Sequence, residues 1–482
     1  MLIIMLLVAF WFLLQYNITI LAKAFLRVKE FKMGQLKEFV IYGLWEERNY
    51  QLKFEDEKLV IVGENGSGKT TVLRIFYDTL TGKWARLLRE NFNKIKIKID
   101  GEEKVFTKED LGEASLYEAS AKLMEELPSY VRYRTESWDQ MDFNIDGLLE
   151  MVREMESADE YQELISKLEG KVADIPQKVR DISKWLKENL PYKILYYPTY
   201  RRVESKADIA GIKVRGYGST RRGRHQSTEN SNLEIAYSGM KDVDGIIKMN
   251  LKEIEQKYNL TSAKLNMSCF KGILSQDYEQ TVMISDAQAD PEYIEMVFNS
   301  FTGITLLEEE AYQVKDKLLE ILAKDATYSE YDKIVIYYYN TLAQRFDELK
   351  RTEEKIERFF YACNQYLNYK RFEYDPKSFS YSIKVESRNG EKREMSIEQL
   401  SSGEKQIVAL FCYLYLLDNT PQMIIIDEPE LSLSVEWQEK ILEDVLKGPM
   451  CRSLVVATQS PFVYDNSLRA YAHTIEEFLV LE

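Results

Sequence analysis

The stretch Leu59 to Tyr77, LVIVGENGSGKTTVLRIFY, decides how this chain is read. Leu59 to Gly63 has the apolar composition of a buried strand, and Thr71 to Tyr77 has helical periodicity. Between them, Gly63-Glu64-Asn65-Gly66-Ser67-Gly68-Lys69-Thr70 satisfies the pattern GxxxxGK[ST] in full. Strand, glycine-rich turn and helix, in that order, is the arrangement a phosphate site needs. Glycines let successive backbone N–H groups close around phosphate oxygens at a helix N-terminus, where the helix dipole also favours negative charge. Gly63, Asn65, Gly66, Ser67, Gly68, Lys69, Thr70 and Thr71 are therefore the candidate ATP-binding residues. Lys69 has the reach for the β- and γ-phosphates, and the Thr70 hydroxyl is a ligand for Mg2+.

Met423 to Ile426 is a second apolar strand, and it ends in two adjacent carboxylates, Asp427 and Glu428. Asp427 suits the Mg2+ shell, while Glu428 suits the task of orienting and deprotonating an attacking water. Alone, the pair also fits a cap on the following turn. Beside Lys69 the catalytic reading is the stronger one, with ATP and Mg2+ as the expected cofactors.

Leu400-Ser401-Ser402-Gly403-Glu404-Lys405-Gln406 resembles the signature motif of the ABC ATPase superfamily, in the form seen in heads related to SMC, RecF and overcoming-lysogenization-defect ATPases. That resemblance implies that Ser401, Ser402, Gly403 and Glu404 belong to the nucleotide site, with the serines and the glycine contacting the γ-phosphate held by an opposite subunit. Pro429, Glu430 and Leu431 to Ser434 resemble the dimer-contacting loop of the same family, and Ala457 to Pro461 its switch segment. The switch position usually carries histidine, and here it is Gln459. Glutamine hydrogen-bonds a phosphate or a water but takes no proton, which implies slow or partner-dependent turnover. A clear glutamine loop is also missing. Tyr197 to Arg202 (YPTYRR) occupies that region and either substitutes for it or simply ends a strand.

The implied fold is α/β, a P-loop NTPase of ABC type with a mixed β-sheet head, a parallel core and a large, mostly helical insertion. Its segments are expected as follows: 1–32 hydrophobic, 33–107 the N-terminal lobe of the head, 108–193 a helical insertion, 194–240 a strand and basic loop, 241–375 a helical lobe, and 376–482 the C-terminal lobe. Within these, Phe39 to Leu44 reads as the first strand, followed by a polar turn at Glu46 to Asn49. Lys94 to Asp100 (KIKIKID) reads as a half-exposed strand at an antiparallel edge, turned by Gly101. Asp242 to Lys370 reads as helical, with amphipathic spacing at Leu307, Ala311, Val314, Leu318 and Leu322. Phe379 to Glu386 and Glu391 to Met395 form a hairpin across Asn389-Gly390. Helix 403–417, strand 423–426, helix 436–446 and strand 453–458 follow as parallel α/β.

Transporter heads place their glycine-rich loop and signature motif close together, and SMC-type heads separate them by a very long coiled coil. An insert of intermediate length and mixed helical character resembles instead the ATPase components of the bacterial anti-phage systems PARIS and Septu, which work beside a separate effector. The expected function is therefore an ATP-binding and ATP-hydrolysing ATPase that assembles through ATP-sandwich head contacts, as a homodimer or higher oligomer, and acts as a nucleotide-driven switch. A RecF-like repair ATPase is the alternative, and a transporter subunit fits least.

Composition sets the limits. The 482 residues are 45% hydrophobic and 30% charged, which is globular, and long enough for more than one core. A net charge of −15 argues against coating nucleic acid by bulk attraction. The exception is a basic island with eight cationic residues between Arg201 and Arg224, where Arg201, Arg202, Arg221, Arg222 and Arg224 are candidates to meet nucleic acid or an acidic protein. Four scattered cysteines signal neither disulfides nor a zinc site and fit a reducing cytoplasm. Residues 2–22 carry no charge and are long enough to span a bilayer, with Lys23, Arg27, Lys29 and Lys32 holding the rest on the cytoplasmic side. This segment is an anchor to the inner face of the membrane, or the head effectively begins at Met33; a signal peptide fits least, because no basic region leads the run.

Overall fold

The computed structural model describes residues 34–112, 176–190, 192–198, 233–234, 240–280, 284–301, 308–323, 328–386, 390–417 and 420–480. The expectations for residues 1–32, for most of the first insertion and for Arg201, Arg202, Arg221, Arg222 and Arg224 fall outside them. Contacts divide the chain into two units, Met1–Lys193 with His473–Glu482, and Ile194–Ala472.

In the first unit, β1 (Leu36–Leu44), β2 (Arg48–Lys53), β3 (Lys58–Val62), α1 (Lys69–Thr81), α2 (Trp84–Leu87), β4 (Lys94–Ile99) and β5 (Glu102–Thr107) follow in order, and α3 (Gln177–Asn189) closes the described part. Four of the strands form an antiparallel sheet in the order β2-β1-β4-β5. Period-two alternation puts Ile95, Ile97 and Ile99 into the core and leaves Lys94, Lys96 and Lys98 half exposed. The sequence expectation that this strand is the sheet edge is corrected: β4 lies inside and β5 takes the edge. Alternation reports which face is wet, not which flank is free, and the lysines find cross-strand partners. Lys96 Nζ sits 2.9 Å from Glu38 on β1, and Lys94 lies over the Tyr42 ring. The polar turn is also shorter than expected. It spans Trp45 to Glu47, and Arg48 already begins β2, where only Tyr50 and Leu52 turn inward.

Helix α1 extends past Tyr77 to Thr81, stopped by Gly82 at φ 69°. Its fully buried Phe76 meets Phe39 edge-on at 5.1 Å and stacks on Phe54 at 5.5 Å, seating the helix on the strands that precede it. The chain's last residues return to this unit, where the Val480 N–H bonds the Asn49 carbonyl at 3.0 Å.

The second unit contains β6 (Lys193–Tyr197), β7 (Leu233–Glu234), α4 (Met240–Leu274), α5 (Asp286–Ala289), α6 (Pro291–Phe301), α7 (Glu308–Leu322), α8 (Glu330–Asn364), β8 (Lys370–Asp375), β9 (Ser380–Glu386), β10 (Lys392–Met395), α9 (Ser402–Leu416), β11 (Gln422–Asp427), α10 (Val435–Leu446) and β12 (Cys451–Thr458). Strands β12-β11-β6-β7 are neighbours in that order, with β11 and β12 parallel. Every residue of β11 is buried, as a strand covered on both faces requires. Helices α4 and α8, 35 residues each, pack on one another and on α9. Their inward stripes have helical spacing: Val243, Ile247, Leu251, Ile254 and Tyr258 on α4, and Ile336, Tyr339, Ala343, Phe346 and Leu349 on α8. On α7 the buried stripe is Ala311, Leu318 and Ile321, one residue short of the expected Leu322, and Leu307 lies outside the described residues.

The expected hairpin is present as β9 and β10, but the block read as helical ends in a strand, β8, that completes a β10-β9-β8 sheet. Only Phe372 of β8 is buried, so its sequence carries no core signal; its conformation comes from pairing with β9, where Phe372 faces Ile383. Burial of Glu353 on α8 pushes its carboxyl up, against hydrogen bonds from Tyr374 (2.9 Å) and Tyr258 and the charge of Lys350. A carboxyl raised on folding costs stability as pH rises above its unfolded value. Glu353→Gln is therefore expected to be more stable than wild type at pH 8 and equal to it near pH 4, by urea unfolding at both.

Candidate functional site

In the first unit, the chain leaves β3 and turns through Gly63 to Gly68 into α1. Gly66 has φ 84° and Gly68 has φ 102°, conformations that cost an L side chain dearly, and a Cβ on Gly68 would also stand 2.5 Å from the Trp45 ring. Gly68 is the N-cap of α1, and no side chain caps that helix. Its first N–H groups thus remain for a ligand. The Lys69 side chain turns back into the loop. Its ammonium donates to the Gly63 carbonyl at 2.6 Å and the Glu64 carbonyl at 2.8 Å, and the residue is buried. Ser67 Oγ is buried with no hydrogen-bond partner. A concave run of amides, an orphan hydroxyl and a buried cation form a donor set for an oxyanion, which is the fit a nucleotide phosphate requires. Asn65, Gly66 and Thr70 are exposed, and Thr71 is half-buried one residue further into the helix.

In the second unit, β11 delivers Asp427 buried and Glu428 half-buried. Glu428 has φ 52°, a left-handed conformation that costs a non-glycine residue about 1 kcal/mol or more. Its N–H bonds the Ala457 carbonyl at 2.8 Å, so pairing with β12 holds the strained residue in place. At the end of β12, the Gln459 side chain is exposed. Hydroxyl and carboxylate oxygens, Thr70 in the first unit and Asp427 in the second, are the hard donors Mg2+ takes.

The signature segment forms the start of α9. Ser401 is its N-cap in a reciprocal capping box: its N–H donates to Glu404 Oε2 at 2.7 Å, and its Oγ accepts from the Glu404 N–H. Ser401 and Ser402 are exposed, whereas Gly403 is buried. A Cβ on Gly403 would lie 2.4 Å from the Ser432 carbonyl oxygen, so glycine is what lets α9 meet the loop that follows Asp427-Glu428. The oxygens of Glu404 receive the Lys370 ammonium at 2.9 and 2.7 Å and the Ser401 N–H, so this carboxylate also holds the start of α9 beneath the exposed serines.

The structure therefore gathers the glycine-rich turn in the first unit, and the signature turn, the paired acids and Gln459 in the second. Lys370 went unrecognised in the sequence, because nothing local marks a lysine on a polar strand as the partner of a carboxylate in the next sheet-to-helix connection.

The family described as "AAA domain, putative AbiEii toxin, Type IV TA system" matches residues 298–465, a stretch that contains the signature turn, the paired acids and Gln459. No curated protein matches the chain. Among solved structures, an Smc head domain with an extended coiled coil, bound to the C-terminal domain of ScpA from Pyrococcus furiosus, aligns at TM-score 0.34 and 13% identity, covering 90% of this chain and 92% of that one. An Smc head with a coiled coil and joint from Pyrococcus yayanosii aligns at TM-score 0.31 and 13% identity, covering 90% and 94%. The chain's own elements define its fold class: mixed α/β, with the glycine-rich P-loop between β3 and α1, a parallel strand pair behind the paired acids and a large, mostly helical insertion.

Burial works against the charge on Glu404, but Lys370 and the Ser401 N–H outweigh it and hold the carboxyl below the usual range. A group lowered on folding contributes stability above its unfolded pKa and loses it as pH falls through the folded value. Lys370→Met is expected to cost about 2 kcal/mol at pH 7, and urea unfolding should show the gap to wild type closing as the pH drops below 4.

Proposed function

We propose that this chain binds Mg-ATP and hydrolyses it between two heads, as a switch that acts on a separate effector in anti-phage defence. The observation that carries the reading is the loop before α1, where an uncapped helix start, two glycines at positive φ and the inward-turned Lys69 ammonium form a phosphate cradle. Gly63, Asn65, Gly66, Ser67, Gly68 and Thr71 would surround the phosphates, with Lys69 moving from the loop carbonyls to the β- and γ-oxygens. Thr70 and Asp427 would hold Mg2+, whose charge offsets that on the phosphate oxygens. Glu428 is the base that orients the attacking water and takes its proton, and strain in its backbone fits a residue positioned for chemistry.

The exposed Ser401 and Ser402 start a helix whose own cap is internally satisfied, which supports a role toward a partner head's γ-phosphate. Gln459 can hydrogen-bond that region but cannot relay a proton, so turnover by the free protein is slow. The family match to a putative toxin supports a place in a defence or toxin–antitoxin setting. Among the described residues, no helix is long and apolar enough to cross a membrane.

The test is nucleotide binding and phosphate release by the purified chain. Lys69→Ala should lose binding of a fluorescent ATP analogue, and Glu428→Gln should bind it but release phosphate about 10²-fold more slowly or less, while shifting to a dimer on gel filtration with ATP. Unimpaired binding by Lys69→Ala would overturn the reading, and strong stimulation of hydrolysis by duplex DNA would redirect it to a RecF-like repair ATPase.

A further inference from the structure

Glu430 lies three residues beyond Asp427 and is buried to 8% exposure. Its two carboxylate oxygens take separate donors from the end of β12. Oε1 accepts the backbone N–H of Gln459 at 2.9 Å, and Oε2 accepts the Thr458 hydroxyl at 2.8 Å. The Thr458 Oγ in turn accepts the Ser460 N–H at 3.0 Å. On the other side, Gln438 of α10 donates to the Leu433 carbonyl at 3.0 Å and receives the Ser460 hydroxyl at 2.7 Å. The backbone on both sides of Gln459 is therefore gripped, while its side chain stays exposed. Glu428, two residues before Glu430, is anchored to the same strand through Ala457.

Burying a carboxylate is expensive, and no cation pairs with Glu430 among the described residues. Its two hydrogen bonds are what offset that cost. Because a carboxylate only accepts, both donors must face it, and this fixes the peptide between Thr458 and Gln459 in one orientation. A serine, an alanine or a valine at position 430 would leave Gln459 free to turn. The geometry points to Glu430 as a positioning residue: it sets Gln459 relative to Glu428, so that the glutamine side chain reaches the water and the terminal phosphate in the productive orientation. This rests on the reading of the chain as an ATPase and assigns the glutamine a fixed aim within it.

The experiment compares Glu430→Ala, Glu430→Gln, Gln459→Ala and the Glu430→Ala/Gln459→Ala double variant in the full chain, measuring affinity for a fluorescent ATP analogue, phosphate release, and hydrogen exchange of the segment around Gln459. Positioning predicts that Glu430→Ala binds the analogue like wild type while its kcat falls about 10²-fold, as expected for a misaligned group. Glu430→Gln, which still offers an oxygen to the Gln459 N–H, should recover part of that loss, and the double variant should be no slower than the slower single variant. Glu430→Ala should also exchange the Gln459 amide faster than wild type. Should Glu430→Ala not fold, Thr458→Val takes its place, since it removes only one of the two donors.

The inference is overturned if Glu430→Ala keeps wild-type kcat, if the losses of the two single variants multiply in the double, or if the Gln459 amide exchanges at the same rate in all. A wild-type protein that binds the analogue but never releases phosphate would sink the hydrolytic reading itself; the exchange rates would then decide separately whether Glu430 grips the segment.

Discussion

A helix that begins inside a protein leaves N–H groups that something must satisfy, and this chain answers that demand in two opposite ways. At α8 and α9 the sequence supplies complete capping boxes, Ser329 with Asp332 and Ser401 with Glu404, and the donors are consumed internally. At α1 the cap position is Gly68, which offers no side chain at all. The first helix thus keeps its amides for an external oxyanion. Helices α8 and α9 use theirs to hold position. Helices α3 and α10 also start without a side-chain cap, so what sets α1 apart is the pair of glycines at positive φ before it and the Lys69 ammonium turned back into its loop.

The signature helix is held at both ends. Its N-terminus is fixed by Glu404, which Lys370 reaches from β8, and by Gly403 against the Ser432 carbonyl. Its C-terminus is fixed by the helical pair: the Leu416 carbonyl accepts from Asn250 of α4 at 3.1 Å and from Lys355 of α8 at 3.2 Å. Its exposed start carries Ser401 and Ser402.

Around the paired acids the chain spends stability on geometry. Glu428 sits in a left-handed conformation, and Ser432 shares it at φ 63° a few residues on. Glu430 is buried as a carboxylate, and Gln438 bridges to Ser460 across the same loop. Strained backbone and buried charge persist only where the surroundings over-determine them. Here the determining element is β12, whose parallel pairing with β11 supplies the carbonyl and amide groups that the loop closes upon.

How much was legible beforehand follows from the range of each interaction. The glycine-rich turn, the apolar strand ending in Asp427 and Glu428, and the capping pattern at Ser401 are local: a few adjacent residues contain all the groups that create them, so their positions could be read directly. The helices α1, α9 and α10 and the strands β11 and β12 likewise announce themselves by period and apolar runs. Lateral and long-range relations were not legible. Strand β4 shows the alternation of any half-exposed strand, and only pairing with β1 and β5 places it inside its sheet. Strand β8 has a polar sequence and owes its conformation to β9. The hold on Glu404 belongs with these, because Lys370 reaches it from a separate sheet. The sequence thus determines which groups exist and how the chain runs through each turn, while the tertiary structure decides which buried charges face one another, because that depends on contacts between residues far apart in the chain.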